Sequence, residues 1–291
     1  MPLYIRRLPG TRSRLIDSTS IAKNVVCFNP SKAGHFVYIR ATEHTALKET
    51  NHILLYNETN KSLINVSIGD CLLPTVNLFC GLEDLRICMW NERLWFTATT
   101  THASNNMTNE MLLGRFSSDC KKVEFVQVVD VGTLPAKNVC PFVEDGRLML
   151  LDLYKSCIYR CCLTPDTEKE TWTLERAQTL EWHAGEPNFY RGSTSPVHLH
   201  GSTWGCVGHD IIFNDNTQLV TRLSYLHHWI EFDIARGAVT FVSSPFWVAH
   251  WGVEYVSGIS KTGDKVTLYL GINDKDAAAC ETTLSDLRCG K

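Results

Sequence analysis

The chain has 291 residues and a hydrophobic fraction of 44%, enough for one large domain or two small ones with a substantial core. Twenty-eight basic residues against 31 acidic ones leave a net charge of −3, which offers no electrostatic footprint for nucleic acid or an anionic membrane surface. No apolar run approaches the roughly 20 residues of a membrane-crossing helix, and the basic start "MPLYIRRLPGTRSR" lacks the apolar stretch of a secretory signal.

In chain order, the recurring unit is a short strand rich in β-branched and aromatic residues. The sequence predicts strands at "HFVYIRA", "HILLYNE", "RLWFTATT", "VEFVQVVDVG", "GRLMLLDLY", "SCIYRCCL", "TWGCVGHDIIF", "WIEFDI", "AVTFVSS" and "KVTLYLGI". Turn signals such as "NPSKAG", "NETN", "NER", "EDG", "HGST", "ARG" and "KTGD" separate them. Helical periodicity is confined to "IGDCLLP" and the C-terminal "AAACETTLSDL". No low-complexity linker divides the chain. The expectation is an all-β fold. The length suits one five-bladed β-propeller over residues 1–291, at about 50–60 residues per four-stranded blade.

Twelve cysteines do not make a disulfide scaffold in a chain this long, because such scaffolds compensate for cores too small to hold a fold. Several sit in apolar runs ("VVCF", "RICMW") as small hydrophobes, and no C-x-x-C pair suggests zinc. Sequons at Asn57, Asn65 and Asn106 are expected to be idle. A reducing intracellular compartment, cytosol or a peroxisome-like organelle, is expected.

Five polar clusters interrupt the apolar strands: "CFNPSKAGHFVYIR" (27–40), "GLEDLR" (81–86), "KNVCPF" (137–142), "YRGSTSPVHLHG" (190–201) and "GVEYVSGI…YLGINDKD" (252–276). Each lies beside a different strand pair, as though each blade supplied residues to one shared centre. G-x-S-x-G, G-x-G-x-x-G and phosphate-loop signatures are absent. His227 and His228 are adjacent on a strand and project to opposite faces, so the pair does not suit one metal ion. "DKD" at 274–276 has the form of a metal-nucleotide Asp-x-Asp but lacks a βαβ context.

Taken in order, "FNPSKAGHFVYIR", "GLEDLRICMWNERLWFTAT", "KNVCPF", "YRGSTSPV" and "VEYVSGI…LYLGINDKDAA" resemble the successive motifs of the five-bladed propellers of glycoside hydrolase family 130. That family contains β-mannoside phosphorylases. The likeness runs from about Asn29 to Asp276 and is nearest to the trypanosomatid mannosyltransferase/phosphorylases of β-1,2-mannan turnover.

The resemblance implies an inverting single displacement, with Asp84 as the proton donor acting through a sugar hydroxyl. Such an acid is expected to have its pKa raised toward neutrality. A second carboxylate to activate water is not needed, since phosphate is the nucleophile. Phosphate ligands are then expected at Lys137, Asn138, Lys155 and His227 or His228. Sugar contacts are expected at Asn29, Arg40, Glu83, Arg86, Arg191, Tyr225, Glu254 and Asp274, with Tyr190, Tyr225 or Trp251 as an aromatic floor. Adjacent on an extended segment, Glu83 and Asp84 are expected to point apart.

Plainer roles stand beside these. Lys137 suits a solvated turn, Arg191 an ion pair between blades, and Glu254 a structural carboxylate holding loop N–H groups. Leu85 replaces the family's proline, and His228 its arginine. The implied partners are a β-mannose oligosaccharide with phosphate or mannose 1-phosphate, with no cofactor, metal, nucleic acid or membrane. The competing readings are a GDP-mannose-dependent transferase on the same fold and a non-catalytic glycan-binding propeller.

Overall fold

A computed structural model describes residues 5–15, 24–44, 49–68, 81–101, 109–132, 137–164, 170–182, 190–212, 224–249 and 252–289. It is an all-β propeller. The first sheet holds Val25–Ala33, Phe36–His44, Glu49–Asn57 and Ser62–Val66. The second holds Glu83–Trp90, Arg93–Thr101, Asn109–Phe116 and Val123–Val128, and the third Cys140–Glu144, Arg147–Asp152, Cys157–Leu163 and Trp172–Thr179. A fourth sheet is built on the long pair Thr203–Ile212 and Ser224–Asp233, and has seven strands. The last sheet runs Glu254–Thr262, Lys265–Ile272, Asp276–Thr283, with Thr11–Arg14 as its outer edge. Four sheets thus have the regular four-stranded blade form, where the sequence reading expects five; the remaining one is larger and irregular.

The N-terminal segment ties the two ends of the chain together. Thr11–Arg14 pairs antiparallel with Ala278–Glu281, while Arg6–Arg7 pairs parallel with Phe246–Trp247. An edge strand supplied from the other terminus satisfies a row of N–H and C=O groups that would otherwise be open to mispairing.

Packing between neighbouring sheets makes the core. Tyr38, Ile53 and Leu55 of the first sheet meet Leu85, Ile87 and Phe96 of the second. Trp95 and Met111 of the second meet Leu148 and Leu150 of the third. Phe142 and Met149 then meet Trp204 and Ile230 of the seven-stranded sheet. Trp229 and Val207 meet Val256 and Leu268, and Tyr269 and Ala279 return to Val37 and Ile39 of the first sheet. Tight turns space the strands: Asn91-Glu92 and Asp145-Gly146 have positive φ at both central positions, the twist that suits two-residue hairpins.

The expected C-terminal helix is corrected. Ala277, Ala278 and Ala279 lie in strand Asp276–Thr283 and are buried, and the helix covers only Leu284–Arg288, capped by the Thr283 hydroxyl. Small side chains fit a strand packed on both faces, so tertiary context overrides the helical preference of alanine. Residues 69–74 of "IGDCLLP" lie outside the described residues.

Candidate functional site

All five polar clusters reach one cavity of about 540 Å³. Its lining includes Asn29 and Arg40 from the first sheet and Asp84 from the second. Lys137 and Asn138 enter from just before the third sheet, and Arg191, His209 and Tyr225 from the seven-stranded one. The last sheet contributes Tyr255, Asn273, Asp274 and Lys275.

Two β-bulges aim the centre of this site. The pairing register slips between Phe28 and Ser31 and again between Glu83 and Arg86. Asn29 (φ 48°) and Asp84 (φ 51°) sit in these slips in the left-handed region, which Asn and Asp tolerate better than other side chains. The bulges bring the two side chains together: Asn29 Nδ2 donates to Asp84 Oδ1 at 2.9 Å. A side chain at Gly271 would sit 2.4 Å from Asn29 Oδ1, so glycine there makes room for this contact.

Arg40 completes the cluster. Its Nε donates to Asn51 Oδ1 at 2.7 Å, one terminal nitrogen to Asp84 Oδ1 at 3.2 Å, and the other lies 3.6 Å from Glu83 Oε1. The expectation that Glu83 and Asp84 point apart is therefore corrected, because the bulge at Asp84 breaks strict alternation and lets one guanidinium meet both acids. Glu83 itself does not line the cavity; it supports Arg40.

The protonation state of Asp84 also departs from expectation. Burial pushes its carboxyl up, but the Arg40 and Arg86 charges and the hydrogen bonds from Asn29 and Arg40 outweigh that and hold it below the usual carboxylate range. Asp84 is ionised in the free protein.

Arg86, expected at the sugar, is corrected to a tie between sheets. It is 1% exposed; its Nε donates to Ser193 O (2.6 Å), and its terminal nitrogens to Asp84 O (2.8 Å) and the Tyr255 hydroxyl (2.6 Å). Tyr255 in turn donates to Asn138 Oδ1 at 2.9 Å. Asn138 is in the left-handed region (φ 62°), and a side chain at Gly192 would lie 2.3 Å from its carbonyl oxygen. Residues flanking the cavity are thus held by one continuous network.

Four further expectations are corrected. Lys155 does not line the cavity; its ammonium donates to Val131 O and lies 3.7 Å from Asp152. His227 is fully buried and accepts the Val256 N–H on Nε2 (3.1 Å), with burial holding its pKa at about 3. His228 donates from Nδ1 to Ser243 O (3.1 Å) and packs on Tyr190. Glu254 is fully buried and accepts the N–H groups of Val248 (2.6 Å) and Ala249, the plainer of its two readings. In each case a polar side chain serves backbone groups that burial would otherwise leave unsatisfied. Tyr190 is core against Trp182 and His228, Tyr225 lines the cavity, and Trp251 lies outside the described residues.

Besides Arg40, which is paired with Asp84, the cations that line the cavity are Lys137, Arg191 and Lys275, and none of these three has an ion-pair partner among the described residues. Lys275 and Asn273 flank the expected Asp274 in a turn where Asn273 and Asp274 both have positive φ. The sequence reading missed them because it took one residue from "GINDKD". It also missed His209, inside the strand "TWGCVGHDIIF", where a His-Asp pair breaking an apolar run was the available signal.

No protein-family model matches the chain, and no curated protein sequence does either. Solved structures share the fold at low identity. A mannose phosphorylase of Leishmania mexicana in complex with phosphate is 14% identical, covering 99% of this chain and 91% of its own, with a TM-score of 0.58. A β-1,2-mannobiose phosphorylase of Listeria innocua in complex with β-1,2-mannobiose is 13% identical over 92% and 93%, with a TM-score of 0.56. A GDP-mannose-dependent mannosyltransferase of Leishmania mexicana is 12% identical over 92% and 89%, with a TM-score of 0.59.

Proposed function

We propose that the protein is a β-mannoside phosphorylase that transfers mannose reversibly between mannose 1-phosphate and a β-1,2-linked oligomannoside. The observation that carries this reading is a carboxylate, Asp84, opening on the same cavity as Lys137, Arg191 and Lys275, three cations with no ion-pair partner among the described residues. A hydrolase of inverting type needs a second carboxylate to activate water. Asp274 is the other acid lining this cavity among the described residues, and the cations suit an anionic co-substrate. The likeness to mannoside-active propellers points the same way.

In the synthetic direction, an acceptor hydroxyl of the oligosaccharide attacks the anomeric carbon of mannose 1-phosphate. The bond to the phosphate oxygen breaks and its electron pair leaves with phosphate, while the acceptor proton passes through a mannosyl hydroxyl to Asp84. The ionised state of free Asp84 is the one this direction requires. Phosphorolysis reverses each step: phosphate attacks the anomeric carbon, and Asp84, now protonated, delivers its proton to the departing glycosidic oxygen. A bound phosphate anion raises the pKa of Asp84 and so helps load that proton.

We assign the whole chain to one catalytic propeller in which the seven-stranded sheet is the fifth blade, acting without a cofactor. Eight of the ten described cysteines are buried thiols, which suits a reducing intracellular setting.

The test is to incubate the protein with mannose 1-phosphate and a mannose acceptor. Release of inorganic phosphate with growth of a β-1,2-mannoside is the expected outcome. Turnover only with GDP-mannose moves the protein to the transferase reading, and oligomannoside binding without any turnover moves it to the lectin reading.

A further inference from the structure

Asn51 belongs to none of the five polar clusters and does not line the cavity, yet it touches both sides of the Asp84 site. It lies on Glu49–Asn57, directly opposite Thr42 and one diagonal step from Arg40, whose direct partner is Ile53. Alternation along the two strands puts Arg40, Thr42 and Asn51 on one face of the first sheet. There Arg40 Nε donates to Asn51 Oδ1 at 2.7 Å, and the Thr42 hydroxyl donates to the same oxygen at 2.8 Å. A guanidinium N–H can only donate, so the bond fixes which end of the amide is oxygen. Asn51 is 4% exposed. It also backs Gly81, the first residue of "GLEDLR": a side chain there would lie 3.3 Å from the Asn51 carbonyl oxygen.

The bond to Nε governs how the rest of Arg40 is used. An arginine whose Nε is open can pair side-on with one carboxylate through Nε and a terminal nitrogen, a two-pronged geometry that is strong. With Nε held by Asn51, the two terminal nitrogens meet different acids, Asp84 Oδ1 at 3.2 Å and Glu83 Oε1 at 3.6 Å. The Phe28 ring, 5.0 Å from the guanidinium carbon, covers one face of the group.

Resting on the reading of Asp84 as the proton carrier of mannosyl transfer, we propose that Asn51 is a positioning residue: by holding Arg40 Nε it divides the guanidinium between Glu83 and Asp84, and so keeps the Asp84 carboxylate in its working position. The titratable groups around Asp84 are Tyr38 and Arg40 of the first sheet, Glu83 and Arg86 of its own strand, His209 of the seven-stranded sheet and Tyr255 of the last. Lys137, Arg191, Asp274 and Lys275 share the cavity wall. Substitution at Asn51 leaves all of these in the chain and changes how Arg40 is shared. In Asn51→Asp a new carboxylate competes for Arg40 and adds negative charge nearby, and both effects favour the protonated form of Asp84. In Asn51→Leu, Nε loses its acceptor without a new charge, and Glu83, the longer of the two acids, can take Arg40 side-on.

Two measurements on wild type, Asn51→Asp and Asn51→Leu test this. One is a carbon-13 NMR titration of protein labelled at the aspartate carboxyl carbons, with Asp84→Asn identifying the Asp84 resonance. The other is the pH profile of the initial rate of synthesis from mannose 1-phosphate and a mannose acceptor. The Asp84 titration midpoint is expected to move up by about one pH unit in Asn51→Asp and about half a unit in Asn51→Leu, with the acid limb of synthesis following it. A merely structural residue would lower stability, or the rate at every pH, without moving either midpoint. Midpoints within about 0.2 pH unit of wild type, or moved downward, therefore overturn the proposal. If Asn51→Asp does not fold, Asn51→Leu decides by the same criterion. A wild-type protein that turns over no mannose 1-phosphate overturns the phosphorylase reading, and the NMR titration still decides whether Asn51 sets the sharing of Arg40. Normal synthesis in wild type with unmoved midpoints in the variants overturns only the role of Asn51.

Discussion

His209 and His227 stand directly opposite each other on the two long strands of the seven-stranded sheet, and both are buried. One lines the central cavity, with Nδ1 against the Ser193 hydroxyl; the other closes on the Val256 N–H in the seam against the last sheet. The same contrast separates Asp84 from Glu254, and Lys137 from Lys155. In the cavity, Asp84 is held by the side chains of Asn29 and Arg40, and Lys137 has no ion-pair partner among the described residues. In the seams, they are spent on backbone groups. Residue type alone does not tell these apart, because a buried N–H and a bound ligand demand the same chemistry of an acceptor.

Substitutions on either side sharpen that contrast, and the largest effect belongs to the cavity. Asp84→Asn is expected to cut transfer between mannose 1-phosphate and acceptor by about 10²–10⁴-fold, while the far-ultraviolet circular dichroism stays that of the wild type. Full activity in that variant would remove Asp84 from the chemistry.

Glu254→Ala is expected to act on stability instead. Stranding the Val248 and Ala249 N–H groups costs about 2–5 kcal/mol, read as a lower midpoint in urea. A variant of normal stability that no longer binds mannobiose would place Glu254 in the site after all.

Lys137→Ala is expected to weaken phosphate binding by about tenfold and mannobiose binding by less than twofold, as titrations of the two ligands would show. Equal loss of both would make Lys137 structural.

The pH dependence follows from the low pKa of Asp84. Synthesis uses the ionised form, which predominates at neutral pH, so its initial rate stays level until pH falls into the carboxylate range. Phosphorolysis uses the protonated form, whose share grows by up to about tenfold per unit as pH falls. Initial rates measured in both directions between pH 5 and pH 8 should therefore favour phosphorolysis increasingly toward acid. A ratio that rises toward alkali would be inconsistent with this assignment.

The smallest effect is expected at Lys155→Met. Phosphate affinity should change by less than twofold, because this lysine serves Val131 and Asp152 in a seam. A tenfold loss would move it back to the phosphate.

The sequence by itself determined the β architecture and the polar clusters that meet at one cavity. Alternating apolar strands and their turn residues mark most of the sheet structure, since a period of two and a Gly or Asn turn are local properties. The five polar clusters converge on one cavity as their order in the chain implied, and Asn29, Arg40, Asp84, Lys137, Asn138, Arg191, Tyr225 and Asp274 all line it.

Only the tertiary structure decided which neighbours of these residues work in the cavity and which hold it together. Arg86 sits two residues from Asp84, yet its donors go to Ser193 and Tyr255, more than 100 positions away in the chain. The "GLEDLR" segment carries no sign of the bulge that turns Asp84 and Glu83 onto one arginine, nor of Arg40, the larger of the two charges that lower the Asp84 pKa. Hydrogen-bond partners and local fields are set by chain segments brought together from a distance, and a linear pattern does not encode them residue by residue.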